Sequence, residues 1–145
     1  MTRVQPAADA EEQARQAAAA MYADDRASQS LGIVVDGVAP GRATARMRVI
    51  STMVNGHGIV HGGYTFLLAD TAFAFACNTY APTVAGAAEI VFVRPARDGD
   101  ELVAEARERV SFGRSGVYDV TVRGSGGEVI AEFRGHSRQL SPTAE

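Results

Sequence analysis

Residues 55–78, NGHGIVHGGYTFLLADTAFAFACN, constrain this chain more than any other stretch. A loop holding Gly56, Gly58, Gly62 and Gly63 runs into a segment that is apolar nearly all round. A helix of that kind has to be covered on most sides, so the rest of the chain must wrap it. The segment is too short and too interrupted to cross a membrane. Its one charge is Asp70. A carboxylate in apolar surroundings is costly unless it is paired or put to use, which makes Asp70 the first candidate for chemistry.

The flanks read as one short helix and several strands. Residues 1–8 are expected to be a flexible arm. The Ala-rich run from Asp9 to about Ala23 reads as a helix, with Asp9 placed as its cap and Glu12 three residues later. LGIVVDGV (31–38) and ATARMRV (43–49) read as strands around the Ala39-Pro40-Gly41 turn. In the second, Arg46 and Arg48 share one face, and Ala45, Met47 and Val49 the other. The central helix is expected from Tyr64 to about Tyr80, ahead of Ala81-Pro82. Four strands follow at 89–95, 101–110, 116–123 and 128–139, with turns at 98–100 and 124–127. Glu128, Glu132, Arg134, His136 and Arg138 share one face of the last of them, and Val129, Ala131 and Phe133 the other. An antiparallel sheet packed on one long helix satisfies this order, an α+β fold in a single domain over 9–140, with a tail at 141–145.

Charge and residue usage exclude several functions. A net charge of −3 with no basic block argues against nucleic-acid binding. All 14 basic residues are Arg, which excludes a Schiff-base lysine and a Walker lysine. Cys77 is the only cysteine, so no intrachain disulfide can form, and its apolar setting suits a small core residue. No apolar leader is visible in MTRVQPAADAEEQ, which sets the expectation of a cytoplasmic protein without membrane contact.

His57 and His61 are four apart, as in a zincin, but no Glu follows the first, Gly58 disfavours a helix there, and no third ligand is evident. No metal site is expected. GSGG (124–127) lacks a following helix and reads as a turn, and no G-x-S-x-G elbow occurs. At Asp70 the alternative to a chemical role is a carboxylate bonded to local backbone or to a polar neighbour. Around it, Gly62 and Gly63 offer N–H groups at the positive end of the helix, where an oxyanion can be held. Asn55 adds an amide that can orient water or a carbonyl. Gly62 and Asp70 are eight residues apart, roughly 12 Å along one helix at ~1.5 Å per residue. One ester or thioester carbonyl cannot reach both within one chain. Two antiparallel copies of the helix across a twofold axis can bring them together, so a site shared in a dimer is expected.

At these residues the chain resembles the hotdog-fold thioesterases, specifically the phenylacetate-degradation PaaI family. The resemblance spans nearly the whole sequence. It rests on SLGI (30–33), on N-G-H-G-x-x-H-G-G-x-x-F-x-L-A-D-x-A-F-A (55–74) and on FVRPA (92–96), and continues through G-x-x-G-V-Y-D-V (113–120) and F-R-G-x-S (133–137). It implies a five- to six-stranded antiparallel sheet wrapped around one central helix, with an added N-terminal helix. It also implies hydrolysis of an acyl-CoA thioester, with phenylacetyl-CoA or its ring-hydroxylated forms as the expected substrates. Asp70 matches the catalytic carboxylate, Gly62 the backbone donor to the carbonyl, and Asn55 and His61 supporting positions. Dimers paired into tetramers are implied, with no cofactor beyond the coenzyme A of the substrate. Some relatives carry a Ser or Thr helper near the third strand, where this chain has Val84-Ala85-Gly86-Ala87-Ala88, with Thr83 nearby. The Asp/His signature of enoyl-thioester hydratases is absent. Coenzyme A phosphates need Arg or backbone N–H partners in a chain without Lys. Arg114 in the GRSG turn is the first candidate, with Gly63, Ser115 and Gly116 beside it as substrate-binding positions and Arg94, Arg97 and Arg134 as further ones. A non-catalytic acyl-CoA-binding protein is the alternative reading.

Overall fold

Strand alternation and one capped apolar helix build the architecture of the computed structural model, which describes residues 7–140. In chain order the elements are α1 (Ala7–Asp24), α2 (Arg26–Ser30), β1 (Val34–Ala39), β2 (Arg42–Arg48) and a 3-10 turn (Ser51–Met53). Then come α3 (Gly62–Cys77), β3 (Thr83–Phe92), β4 (Glu101–Phe112), β5 (Ser115–Arg123) and β6 (Val129–Gln139). The strands form one six-stranded sheet in the order β1-β2-β4-β5-β6-β3. Every pairing is antiparallel. No helix among the described residues is long and apolar enough to cross a membrane.

One sheet face packs on α3. Leu68, Ala69, Ala72, Phe73 and Ala76 from the helix meet Ala45, Met47, Leu102, Ala104, Val120, Val122 and Phe133 in a core that excludes solvent. The alternation read in β2 holds, with Ala43, Ala45 and Met47 buried between exposed Arg42, Arg46 and Arg48. In β6 it holds from Ala131 onward, with Glu132, Arg134, His136 and Arg138 exposed, but a register shift at Ile130 sets Val129 opposite Arg123, off the face it was expected to share with Ala131. Phe73 lies against Tyr118 and Phe133, with ring centroids 5.6 and 5.8 Å away. It approaches β6 so closely that a Cβ on Gly135 would stand 2.7 Å from its ring, so glycine at 135 makes room for the central aromatic of the core.

The outer face is ionic. Asp119 accepts two hydrogen bonds from Arg134, at 2.7 and 2.9 Å, and lies 3.5 Å from Arg109. The Arg134 bonds hold the Asp119 carboxyl below its usual range against a smaller opposing effect of burial. Arg134 is therefore engaged within its own sheet.

Several boundaries differ from those read in the sequence. The N-terminal helix begins at Ala7, so Asp9 lies in its first turn rather than capping it. Residues 1–6 of the expected arm and the expected tail at 141–145 lie outside the described residues. A second short helix follows at Arg26, capped by Asp25, whose Oδ1 accepts from the Ser28 N–H at 3.0 Å. Gly32, with φ +69°, breaks the run expected as strand from Leu31, and β1 starts at Val34. Helix α3 starts at Gly62 because His61 caps it, and ends at Cys77. The largest difference is β3, which begins at Thr83 rather than Glu89. It pairs on one side only and is exposed on both faces over most of its length, so it carries no alternation to read.

Candidate active site at the start of the central helix

The loop before α3 is a small closed turn. Val54 bridges Val60, and the Asn55 N–H donates to the Ile59 carbonyl at 2.8 Å. The Asn55 side-chain oxygen accepts from the His57 N–H at 2.9 Å, which leaves its NH2 end without a partner among the described residues. The strand-like entry ends at His61, whose Nδ1 accepts from the Gly63 N–H at 2.9 Å. With Nδ1 as acceptor, the ring proton of a neutral His61 resides on Nε2.

This cap divides the two glycine donors. The expectation that both Gly62 and Gly63 offer N–H groups is corrected for Gly63, whose N–H is taken by His61. The Gly62 N–H donates to nothing among the described residues. It lies at the positive end of a 16-residue helix, where a developing negative charge is stabilised. A groove of about 360 Å³ opens at this point, lined by Asn55, Gly62, Thr65, Phe92, Val93 and Arg94 among others. The structure thus brings Asn55, Gly62 and Arg94 together. Arg94 also donates to the Val129 carbonyl at 2.9 Å, which steadies its guanidinium at the rim.

Asp70 lies two turns further along α3, half-buried, with no hydrogen-bond or ion-pair partner among the described residues. Burial raises its carboxyl above the usual range. The alternative of an Asp tied to local backbone or to a polar neighbour is not what the structure shows among the described residues. Leu67, Asp70, Ala74 and Asn78 are each partly open and spaced three or four apart, so they share the face of α3 that the sheet leaves uncovered.

The other expected residues lie elsewhere. Arg114, Ser115 and Gly116 line a separate cavity of about 320 Å³ with Cys77, Glu108 and Tyr118. Gly116 is packed under Ser137, whose Oγ a Cβ there would meet at 2.8 Å. Arg97 sits in the β3–β4 connection, where its N–H donates to Asp100 at 2.9 Å. The Thr83 hydroxyl donates to the Ala81 carbonyl at 2.7 Å and is committed there. Burial, with a smaller effect of the Asp70 charge, pushes the Cys77 thiol up to about 12.

Phe92 was not among the residues singled out from the sequence. Its ring lies where a side chain on Gly62 would be, with Cζ 2.8 Å from the position of a Cβ. The only sequence signal was its place at the head of FVRPA, thirty residues after the glycine it covers.

Comparison with known proteins identifies the fold and the family. The Thioesterase superfamily profile matches residues 57–131. The acyl-coenzyme A thioesterase PaaI of Escherichia coli K12 is 42% identical over 129 residues, 88% of this chain and 92% of that protein. The solved structure of E. coli PaaI, from the phenylacetic acid degradation operon, superposes with a TM-score of 0.88 at 41% identity, covering 90% of this chain and 96% of that one. A variant of the phenylacetic acid degradation protein PaaI from Thermus thermophilus superposes at 0.76 with 35% identity, covering 78% and 97%. The chain belongs to the thioesterase superfamily, with the hotdog fold and in the branch that holds these PaaI proteins.

Proposed function

We propose that this protein hydrolyses acyl-CoA thioesters, with water as the only co-reactant, and that phenylacetyl-CoA or its ring-hydroxylated derivatives are the substrates. The E. coli relative named for that activity supports the thioester class. The observation that carries the reading is the pair of unpartnered groups on α3, the Gly62 N–H donor and the half-buried Asp70 carboxylate.

The chemistry follows from what each can do. The Gly62 N–H donates to the thioester oxygen and stabilises the oxyanion that forms at carbonyl attack. As general base, Asp70 removes a proton from water, whose oxygen attacks the carbonyl carbon. The C–S bond then breaks, and the thiolate of coenzyme A leaves and takes up a proton. As nucleophile, Asp70 attacks the carbonyl carbon, the C–S bond breaks, and the coenzyme A thiolate leaves and takes up a proton. Water then hydrolyses the resulting mixed anhydride to the free acid and the Asp70 carboxylate. A single turnover in labelled water separates the two routes: label in Asp70 marks the covalent one. Asn55 orients the attacking water or the carbonyl through its free NH2, and His61 holds the donor turn through its cap on Gly63. Arg94 at the groove, with Arg114, Ser115, Gly116 and Arg97, is proposed for the phosphates and pantetheine arm of coenzyme A.

The site is proposed to be shared between two protomers. Gly62 and Asp70 are roughly 12 Å apart on one helix. Edge strand β3 exposes Val84, Val91 and Phe92 at 48%, 64% and 55%, with one side of its backbone unpaired. Such an edge is a template for strand addition, and a twofold axis pairs it with its own copy. Pairing of these dimers into a cytoplasmic homotetramer completes the reading.

Thiol release from a small acyl-CoA panel tests the function. Wild type is expected to release coenzyme A, and Asp70→Asn to lose that activity by roughly 100-fold or more. Tight binding without turnover of any member would instead establish a binding protein.

A further inference from the structure

We propose that Phe92 is the substrate-contacting wall of the carbonyl pocket, covering the Gly62 donor on one side and keeping water from the thioester oxygen bound there. The proposal rests on the thioesterase reading above.

Phe92 ends β3, and its register partner is Ala131, which is fully buried. Its side chain therefore leaves the sheet on the helix side, towards the N-terminus of α3. Cζ and Cε1 of the ring stand 2.8 and 3.0 Å from where a Cβ on Gly62 would be. The ring is nonetheless 55% exposed, so its distal end rests on the glycine while its open face borders the groove shared with Asn55 and Arg94. A carbonyl accepting the Gly62 N–H has to enter beside that open face. An apolar ring there lowers the local dielectric around the oxyanion and strengthens its hydrogen bond, an effect felt at the chemical step. It also accounts for glycine at position 62, which has neither a positive φ nor a tight turn to demand it.

The experiment compares wild type, Phe92→Ala, Phe92→Leu, Gly62→Ala and the Gly62→Ala/Phe92→Ala double variant. Acyl-CoA hydrolysis supplies kcat and KM, while thermal unfolding and size-exclusion chromatography monitor fold and assembly. With wild-type assembly, Phe92→Ala should lower kcat about 10- to 100-fold while KM moves only a few-fold. Gly62→Ala keeps its N–H but drives the ring aside, so it should show a loss of similar size. The double variant should then be no worse than the poorer single variant. Phe92→Ala retaining wild-type kcat, or the double variant regaining the activity lost in Gly62→Ala, would show that the ring only packs the turn and would overturn the proposal. If Phe92→Ala fails to assemble, Phe92→Leu carries the same test alone, with a smaller kcat loss expected at wild-type assembly and an unchanged kcat counting against the wall. If wild type hydrolyses no acyl-CoA, the thioesterase reading itself fails and this inference falls with it.

Discussion

Asp70 is held at a disadvantage that the fold does not relieve. Burial raises its pKa and no described cation or donor offsets it. A carboxyl whose folded pKa is raised binds more protons in the native state than in the unfolded one. Its effect on stability is therefore absent below the ordinary carboxylate range and becomes a growing penalty as pH rises through the raised value. Asp70→Asn should accordingly unfold at a higher temperature than wild type at pH 7 to 8, with the gap closing towards pH 4, while its hydrolysis is lost. Thermal scans at the two pH values check this, and a lower melting temperature for the variant at pH 8 would contradict it. Cys77 gives a second test at the same scale. With its thiol pushed up to about 12 and its side chain buried, it should resist a thiol-specific reagent at pH 8 in the native protein and react fully once unfolded. Asp70 was legible from sequence because a lone charge in an apolar run is conspicuous. The division of labour at His61, Gly62 and Gly63 was not, because which glycine N–H the cap consumes depends on how the histidine side chain turns back on the helix.

Helix α3 and strand β3 were legible to different degrees for one physical reason. The helix is buried against the sheet, so its apolar run stands out even though Asp70 interrupts it. Strand β3 is an edge, exposed on both faces in the single chain, and its Val84–Ala88 start has neither alternation nor large side chains. Periodicity reports burial of one face, and where no face is buried there is no period to find. The same exposure makes β3 the element on which association should depend. Replacing Val84 and Val91 with Lys alters two side chains that are about half or more exposed in the single chain. Each protomer should keep its fold, since such surface changes cost about 0.5 kcal/mol or less. The assembly should nevertheless dissociate, because charges placed along a paired edge oppose strand addition. Size-exclusion chromatography with far-UV circular dichroism checks both halves, and wild-type elution from the double variant would remove β3 from the interface.

For the molecule as a whole, the sequence disclosed the sheet, the helix it wraps and the glycine-rich turn before that helix, while the six-strand order and the groove beside Phe92 needed the fold to become visible. Strand order is a matter of pairings far apart in sequence, such as β3 with β6, which no local pattern encodes. The central claim is that Gly62 of one protomer works with Asp70 of another. Subunit complementation tests it most directly. Gly62→Pro deletes the donor at the first helical position, where proline fits the backbone and the preceding His61 is already extended. Its ring also displaces Phe92 of the same chain, which deepens the defect in that one site and leaves the other untouched. Asp70→Asn deletes the carboxylate. Each variant alone should be inactive. Dissociated, mixed in equal amounts and reassembled, half of the dimers are mixed, and each mixed dimer holds one site with both defects and one with neither. Activity should return to about a quarter of wild type. No recovery from reassembled mixed dimers would place both groups of each site in one chain and contradict the account.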